Sequence, residues 1–489
     1  MKAKPLMIQG TMSNVGKSLL TAGLCRILWQ DGYKVAPFKA QNMALNSYIT
    51  EEGLEMGRAQ VVQAAACGIK PTVLMNPILL KPTTDMGSQV IVKGEVYGNM
   101  EARDYFTQKK VQRNAVVFEA YESLASEYDI ILIEGAGSAA EINLRKDDFV
   151  NMGLAEHVRT PVLLVGDIDR GGVFAQLCGT LLLLSEDERT LVKGLIINKF
   201  RGNRDLLQEG LTMLEERSAK PVVGVVPMLD VDIEDEDSLS HRFTHKRPDA
   251  PLDIAVIRLP KIANFTDFYA LEATESLTLR YIDAVGDLQK PDMLVIPGTK
   301  NTIADLIWLR EKGFDTAILR LASTHTPVFG ICGGYQMLGE RVIDGEGVEF
   351  QGGGSIAGLG LLAMITVFTK EKQRALVKGR VSVFGSDQVY VEGYEIHMGQ
   401  KHYACSETDT ALCIQQGTVY GTYVHGFFDT QECRKALIEM LCKNKGIPLP
   451  QNAFFDLSQY REEQFNRLAA ALRRHLDMDF IYKILAEGV

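Results

Sequence analysis

Thr326-Pro-Val-Phe-Gly-Ile-Cys-Gly-Gly-Tyr-Gln336 is a short apolar run that ends on a cysteine set among glycines. Pro327 to Ile331 reads as a buried strand, and Gly330 and Gly334 flank Cys332 in a G-x-C-x-G pattern. That is the spelling of a nucleophile elbow, a sharp strand-to-helix turn that lifts one side chain off the sheet. Gly330 and Gly334 leave room where strand and helix approach, and Gly333 can take a strained dihedral. The N–H of Gly333 then points where a developing oxyanion would sit. Taken alone the pattern is weak, because a buried cysteine is more often a small hydrophobe than a nucleophile.

Two further stretches support it. Asp292-Met-Leu-Val-Ile-Pro297 reads as a second buried strand, and the Gly298 that follows it can offer another N–H to the oxyanion. Val419-Tyr-Gly-Thr-Tyr-Val-His425 reads as a strand that delivers a histidine at its end. A thiol needs such a base to become a thiolate near neutral pH. The order strand–Gly, strand–Cys, strand–His resembles the class I (triad) glutamine amidotransferases. The resemblance implies that Cys332 attacks the glutamine side-chain amide with His425 as its partner, and that Gly298 and Gly333 form the oxyanion site. It departs in one place. The family usually has a Glu two residues after the His, where this chain has Phe427. Asp429 is one candidate to orient His425 instead.

The chain starts with another arrangement of strand, loop and helix. Pro5 to Gln9 is apolar, Gly10-Thr-Met-Ser-Asn-Val-Gly-Lys-Ser18 follows, and Leu19 to Leu28 reads as a helix. Backbone N–H groups and a helix N-terminus can cradle phosphates there, with Lys17 on the outer phosphates and the Ser18 hydroxyl on Mg²⁺. Thr11, Asn14, Val15, Gly16, Lys17 and Ser18 are the candidate nucleotide-binding residues. Five residues separate the two glycines, one more than in the common P-loop. This spelling resembles the dethiobiotin synthetase-like ATP-dependent ligases.

Further strands end in polar residues, and in an open α/β sheet ligands sit beyond the carboxyl ends of the strands. Lys34 to Phe38 is followed by Gln41 and Asn42, candidate substrate contacts or a solvated loop. Tyr128 to Ile133 ends in Glu134, placed to complete a Mg²⁺ shell with Ser18 or to cap a helix. Pro161 to Gly166 leads to Asp167, Asp169 and Arg170. Asp167 could assist the metal; Asp169 and Arg170 are candidate substrate contacts, with an internal ion pair as the alternative. Leu195 to Ile197 ends in Asn198 and Lys199, where related P-loop folds hold the adenine base. Pro221 to Val226 adds the last of six strands. Glu55 to Ala66 reads as a helix.

The expected fold class is α/β, with two doubly wound, mostly parallel sheets. Residues 1–228 form a P-loop NTPase-like domain, 229–250 an acidic linker, 251–445 a flavodoxin-like amidotransferase domain, and 446–489 a helical extension of that second domain. Gly347 to Gly360 reads as a loop over the glutamine pocket, and Glu395 and His397 share one face of a strand. A chain of 489 residues is long enough for two or three cores. Its net charge of −10 argues against a general nucleic-acid binder. The start lacks the apolar core of a signal peptide, and no apolar run approaches the ~18 residues of a membrane span. Eight scattered cysteines without a C-x-x-C pair fit reduced thiols in the cytoplasm.

The two halves together resemble the cobyric acid synthase family of cobalamin biosynthesis over essentially the full length. Beyond the P-loop and the Cys332 and His425 stretches, the resemblance rests on Phe38-Lys-Ala-Gln-Asn-Met43, Glu134-Gly-Ala-Gly137, Gly166-Asp-Ile-Asp-Arg-Gly-Gly172, Asn198-Lys-Phe-Arg-Gly202 and Gly393-Tyr-Glu-Ile-His-Met-Gly399. It implies ATP and Mg²⁺ as cofactors and glutamine and a corrinoid as substrates, with no nucleic acid or membrane partner. The rival reading is cobyrinic acid a,c-diamide synthase, which shares the domains and the chemistry but acts on other carboxylates. The Gln41-Asn42-Met43 stretch favours the first. Oligomeric state is not legible in the sequence.

Overall fold

The computed structural model describes residues 2–83, 87–101, 110–234, 250–350, 352–403, 411–450 and 454–489. The chain divides into two compact units. The first comprises Met1–Ala44, Glu55–Ile233 and Arg461–Val489; the second comprises Leu45–Leu54 and Glu234–Tyr460.

The first unit is built on six parallel strands. In spatial order they are Val222–Pro227, Val192–Phe200, Val162–Asp167, Lys4–Gly10, Ile130–Glu134 and Val35–Phe38. Strands such as Ile-Ile-Leu-Ile-Glu134 are apolar along nearly their whole length because helices cover both faces. The chain leaves the central Lys4–Gly10 strand toward one edge and later returns to build the other. The loop after that strand therefore lies at the topological switch point, where a crevice opens. A second sheet of four strands joins Gln41–Met43, Ile78–Pro82, Gly87–Val92 and Glu95–Glu101.

The stretch read as a helix from Glu55 begins as a strand, Glu55–Gly57, and turns helical only over Arg58–Ala66. The Glu55 carboxylate is drawn into a buried ion pair with Lys81 at 3.0 Å, and Gly57 caps the helix in an extended conformation.

The C-terminal helices differ from expectation more deeply. Arg461–Val489 groups with the first unit, not the second. Leu468, Leu472, Leu476, Ile481, Ile484 and Leu485 enter the core that contains Leu20, Leu24 and Ile27. Arg26 fixes the register through Glu462 and Asn466. The acidic stretch also departs from a purely solvated linker. Leu229, Val231 and Ile233 pack on that same core, and Asp232 N donates to Gln464. The remainder of the expected linker, 235–249, lies outside the described residues.

The second unit has a sheet in the order Leu277–Ile282, Leu252–Ile257, Met293–Ile296, Val328–Ile331, Val419–Thr422 and Ile414–Gln416, parallel except at the last pair. This is the flavodoxin-like order with an added edge strand. A second sheet is dominated by a long hairpin, Met364–Val383 with Ser386–Tyr403. Its two-residue turn, Phe384-Gly385, has φ of 58° and 76°, the left-handed pair that matches strand twist. Gly354–Ala357, within the expected loop, is a short strand paired with Arg341–Asp344.

Candidate active site

Cys332 sits at the turn between the Val328–Ile331 strand and the Gly333–Leu338 helix. Its φ of 49° and ψ of −108° carry the strain expected of an elbow, and Gly333 does not share it, contrary to the sequence reading. The flanking glycines are obligatory. A methyl on Gly334 would lie 2.0 Å from the Ile296 carbonyl oxygen, and one on Gly330 would lie 2.6 Å from Leu338 Cδ1.

His425 arrives by a broken route. The strand ends at Thr422, Tyr423 interrupts it, and Val424–His425 pairs with the hairpin at Tyr394 and Glu395. The Thr422 hydroxyl accepts from Val424 N at the break. His425 is buried, and its Nδ1 lies 2.8 Å from Asp267 Oδ2. Asp267 Oδ1 accepts from the Gly426 N–H at 2.9 Å, so both carboxylate oxygens hold the histidine segment. Asp267 takes the place suggested for Asp429, whose backbone N–H instead closes a turn on Gly426 O. Phe427 is fully buried against Phe329.

The other ring nitrogen, His425 Nε2, has no nitrogen or oxygen partner among the described residues; its neighbour is the Cys332 thiol. Burial pulls the imidazolium down. Asp267 and then the thiol outweigh that, and the net is a rise to about 10. Cys332 Sγ also lies 3.7 Å from the Ile396 carbonyl oxygen. A methyl placed on Gly298 would come within 3.3 Å of His425 Cε1 and 3.7 Å of Cys332 Cβ, so this glycine borders the same space. Ala263 N donates to Gly298 O and Lys300 N to Lys261 O, which pins the Gly298 loop. Gly333 opens a helix, where its N–H has no intrahelical acceptor. A thiol beside an imidazole held by a carboxylate, with Gly298 bordering both, can perform acyl transfer. His397 is removed from this chemistry: its ring stacks on Tyr423 at 3.8 Å and its Nδ1 meets Gly399 O at 2.7 Å.

In the first unit the Gly10–Ser18 loop has Asn14 at φ 61° and Gly16 at φ 98°. Lys17 Nζ donates to Met12 O and Gly137 O at 3.0 and 2.8 Å. Thr11 Oγ1 donates to Gln176 at 3.2 Å. Glu134 is not a helix cap. It is a buried hub: its Oε1 accepts from Ser18 Oγ and Lys39 Nζ, both at 2.8 Å, and its Oε2 from Gln63 at 2.6 Å. One hydroxyl and one carboxylate oxygen at this separation suit Mg²⁺, which keeps several waters and takes phosphate oxygens for the rest.

Asn198 donates to Val15 O at 2.8 Å and Lys199 reaches Asn14 O and Asp167, so this pair braces the loop's backbone. Asp167 is thereby engaged by Lys199 at 2.8 Å. The internal ion pair in the next stretch joins Asp169 to Arg201, while Arg170 is exposed. Asn42 is buried facing Gln60, whereas Gln41 is half-buried.

Comparison with known proteins gives the family. A model described as the CobQ/CobB/MinD/ParA nucleotide binding domain matches residues 6–239, and one described as the CobB/CobQ-like glutamine amidotransferase domain matches 253–433. The chain is 56% identical to the cobyric acid synthase of Ruminiclostridium cellulolyticum over 100% of its own length and 98% of the relative's. It is 56% identical to that of Lachnoclostridium phytofermentans over 100% of both. The chain belongs to the cobyric acid synthase family. The same name is carried by a Yersinia enterocolitica relative at 48% identity over 99% of this chain and 98% of that one. Members of the cobyric acid synthase family are ATP-dependent ligases with a glutamine amidotransferase domain, and this chain has both units. No helix among the described residues is long and apolar enough to cross a membrane.

Sequence reasoning missed three residues of these candidate sites. Lys39 and Gln63 were legible only as polar residues near a strand end and in a helix. Asp267 lies 158 residues before its histidine. The one signal was an acidic residue set between aromatics in Phe265-Thr-Asp-Phe268.

Proposed function

We propose that the chain amidates the b, d, e and g side-chain carboxylates of (adenosyl)cobyrinic acid a,c-diamide, using ATP and glutamine. The observation that carries this reading is the buried Cys332–His425–Asp267 array in a chain whose other unit keeps an intact P-loop with Ser18 on Glu134.

In the glutaminase half, Cys332 Sγ attacks the side-chain carbonyl carbon of glutamine. The proton given up by the thiol is held at His425 Nε2, and Asp267 stabilises that imidazolium through Nδ1. The amides of Gly298 and Gly333 receive the oxyanion. Collapse breaks the C–N bond, His425 protonates the departing nitrogen, and ammonia leaves. Water, deprotonated by His425, then releases glutamate from the thioester.

In the other half, a substrate carboxylate oxygen attacks the γ-phosphorus of ATP, giving an acyl phosphate and ADP. Lys17 and the loop amides hold the phosphates, and Asn198 and Lys199 lie on the adenine side. Gln41, Asp169 and Arg170 are the proposed corrinoid contacts, with the buried Asn42 held by Gln60 beside Gln41. Ser18 and Glu134 would hold Mg²⁺, which when bound neutralises charge on the outer phosphates. Ammonia displaces phosphate from the acyl carbon and leaves the amide. Ammonia in water near neutral pH is mostly ammonium, which is not a nucleophile. Making it within the same protein that consumes it avoids that loss.

Two variants test the division of labour. Cys332→Ser is expected to abolish amidation from glutamine and to leave amidation from ammonium salts intact. Lys17→Ala is expected to abolish both. Mass spectrometry of the parent's product should show four amidations; two would identify the a,c-diamide reaction instead. Loss of both nitrogen sources in Cys332→Ser would overturn the scheme.

A further inference from the structure

A ten-residue excursion of the chain touches the support of every member of the triad. Ala44 belongs to the first unit, Leu45–Leu54 to the second, and Glu55 to the first again. Ser47 N donates to Asn264 Oδ1 at 2.9 Å. Asn264, left-handed at φ 51°, opens the turn whose fourth residue is Asp267, and its carbonyl accepts from Asp267 N at 3.0 Å. The Ser47 carbonyl accepts from the Tyr394 hydroxyl at 2.8 Å, and the Tyr394 ring stacks on His425 at 5.3 Å between centroids. Ile49 is fully buried against Tyr394 and Ile396, and the Ile396 carbonyl is the one that faces Cys332 Sγ. One short segment thus bears on the carboxylate, the imidazole and the thiol.

Both ends of the excursion are anchored in the first unit, close to the phosphate-side residues. Ala44 N donates to Leu80 O at 3.1 Å. At the other end Glu55 pairs with Lys81, and Gly57 N donates to Asn76 Oδ1 at 3.0 Å. Asn76 Nδ2 in turn donates to Lys39 O at 3.1 Å, and Lys39 Nζ holds Glu134 together with Ser18. Nucleotide at the Gly10–Ser18 loop would bring phosphate charge beside the Ser18–Glu134 contact that Lys39 shares, and would change the balance within that cluster. That differential interaction is what a ligand needs in order to shift a conformational equilibrium.

We propose that Leu45–Leu54 is a strap that positions the glutaminase triad and makes hydrolysis at Cys332 respond to occupancy of the nucleotide site. The inference rests on the function proposed above. Asn264 and Tyr394 are its positioning residues. A displacement near 1 Å at a reacting group is enough to change a rate by about 10²-fold.

The test uses the full chain and three variants. Tyr394→Phe removes only the hydroxyl. Asn264→Gly removes the acceptor while keeping the left-handed backbone accessible. Asn264→Asp keeps the oxygen and serves as the rescue. Glutamate release is measured with and without Mg-ATP plus the corrinoid a,c-diamide. So is the rate at which 6-diazo-5-oxo-norleucine alkylates Cys332. In the parent, the loaded nucleotide site should raise both by a factor in the ordinary coupling range of about 5–150. In Tyr394→Phe and Asn264→Gly the factor should collapse toward one, Asn264→Asp should keep it, and amidation from ammonium salts should be unchanged in all three. Stimulation retained in Tyr394→Phe and Asn264→Gly, or lost equally in Asn264→Asp, overturns the strap. A parent that amidates from both nitrogen sources but whose glutaminase ignores ATP also overturns the strap, and it alone. A parent with no ATP-dependent amidation overturns the functional reading instead.

Discussion

Asp267 is the residue that holds His425, and it is the one that spacing could not find. Sequence patterns register neighbours, so Cys332 and its glycines were legible, and His425 was legible as a strand-end histidine. A carboxylate contributed from 158 residues away leaves no local trace. Its effect is physical: with the Cys332 thiol as the smaller contributor, it holds the imidazolium to about 10 against an ordinary 6.5, despite burial that opposes the charge. A raised value in the folded state means that folding binds the proton more tightly. The stability this group adds is therefore fully present below 6.5 and is lost as pH rises toward about 10. Asp267→Asn removes the carboxylate and keeps the shape. We expect kcat/KM for glutamine hydrolysis to fall by about 10²–10⁴-fold, the usual weight of a positioned acid–base group. Amidation from ammonium salts should persist. Urea unfolding of parent and variant across pH should show the parent's advantage shrinking between 6.5 and about 10. A pH-independent difference would deny Asp267 that electrostatic role.

Strand and turn chemistry explains which elements could be read. The parallel strands announce themselves as apolar runs bounded by glycine or polar residues, because both faces are covered. The elbow was legible for a steric reason, since only glycine fits at 330 and 334. The long hairpin was not. Its turn is Phe384-Gly385, and Phe384 takes a left-handed conformation that local preference assigns to Asn or Asp. Its burial at 3% exposure, against Phe329 and Tyr420, supplies what the backbone loses. The break at Tyr423 that hands His425 from one sheet to the other was equally hidden, because its hydrogen bonds run through the Thr422 hydroxyl. Gly334→Ala tests the elbow. A Cβ 2.0 Å from the Ile296 carbonyl oxygen forces strand and helix apart. We expect a loss of about 1–3 kcal/mol from overpacking, read by urea unfolding. Hydrolysis of glutamine should fail while ammonium still supports amidation. Full glutaminase activity in that variant would mean the turn is not held as tightly as this geometry requires.

At the scale of the molecule, the order of elements along the chain does not give their membership. The apolar positions from Leu468 to Leu485 bury one face of these helices, and an amphipathic pattern carries no record of which core receives it. The complementary mark lies on the P-loop helix. Gly23 interrupts an otherwise good helical run, and a methyl there would meet Leu472 Cδ1 at 2.3 Å and Leu468 Cγ at 3.0 Å. These helices thus complete the core beneath the first phosphate loop, and we expect nucleotide chemistry to depend on their packing. Leu472→Ala should cost about 2–5 kcal/mol, the usual range for a buried leucine whose site collapses only in part. The cost should fall on the first unit. With rising urea, the variant should lose ammonium-dependent amidation well before its basal hydrolysis of glutamine, and saturating ATP should delay the first loss without moving the second. Both activities failing together at one urea concentration would show that the helix does not belong to the nucleotide unit in this selective way.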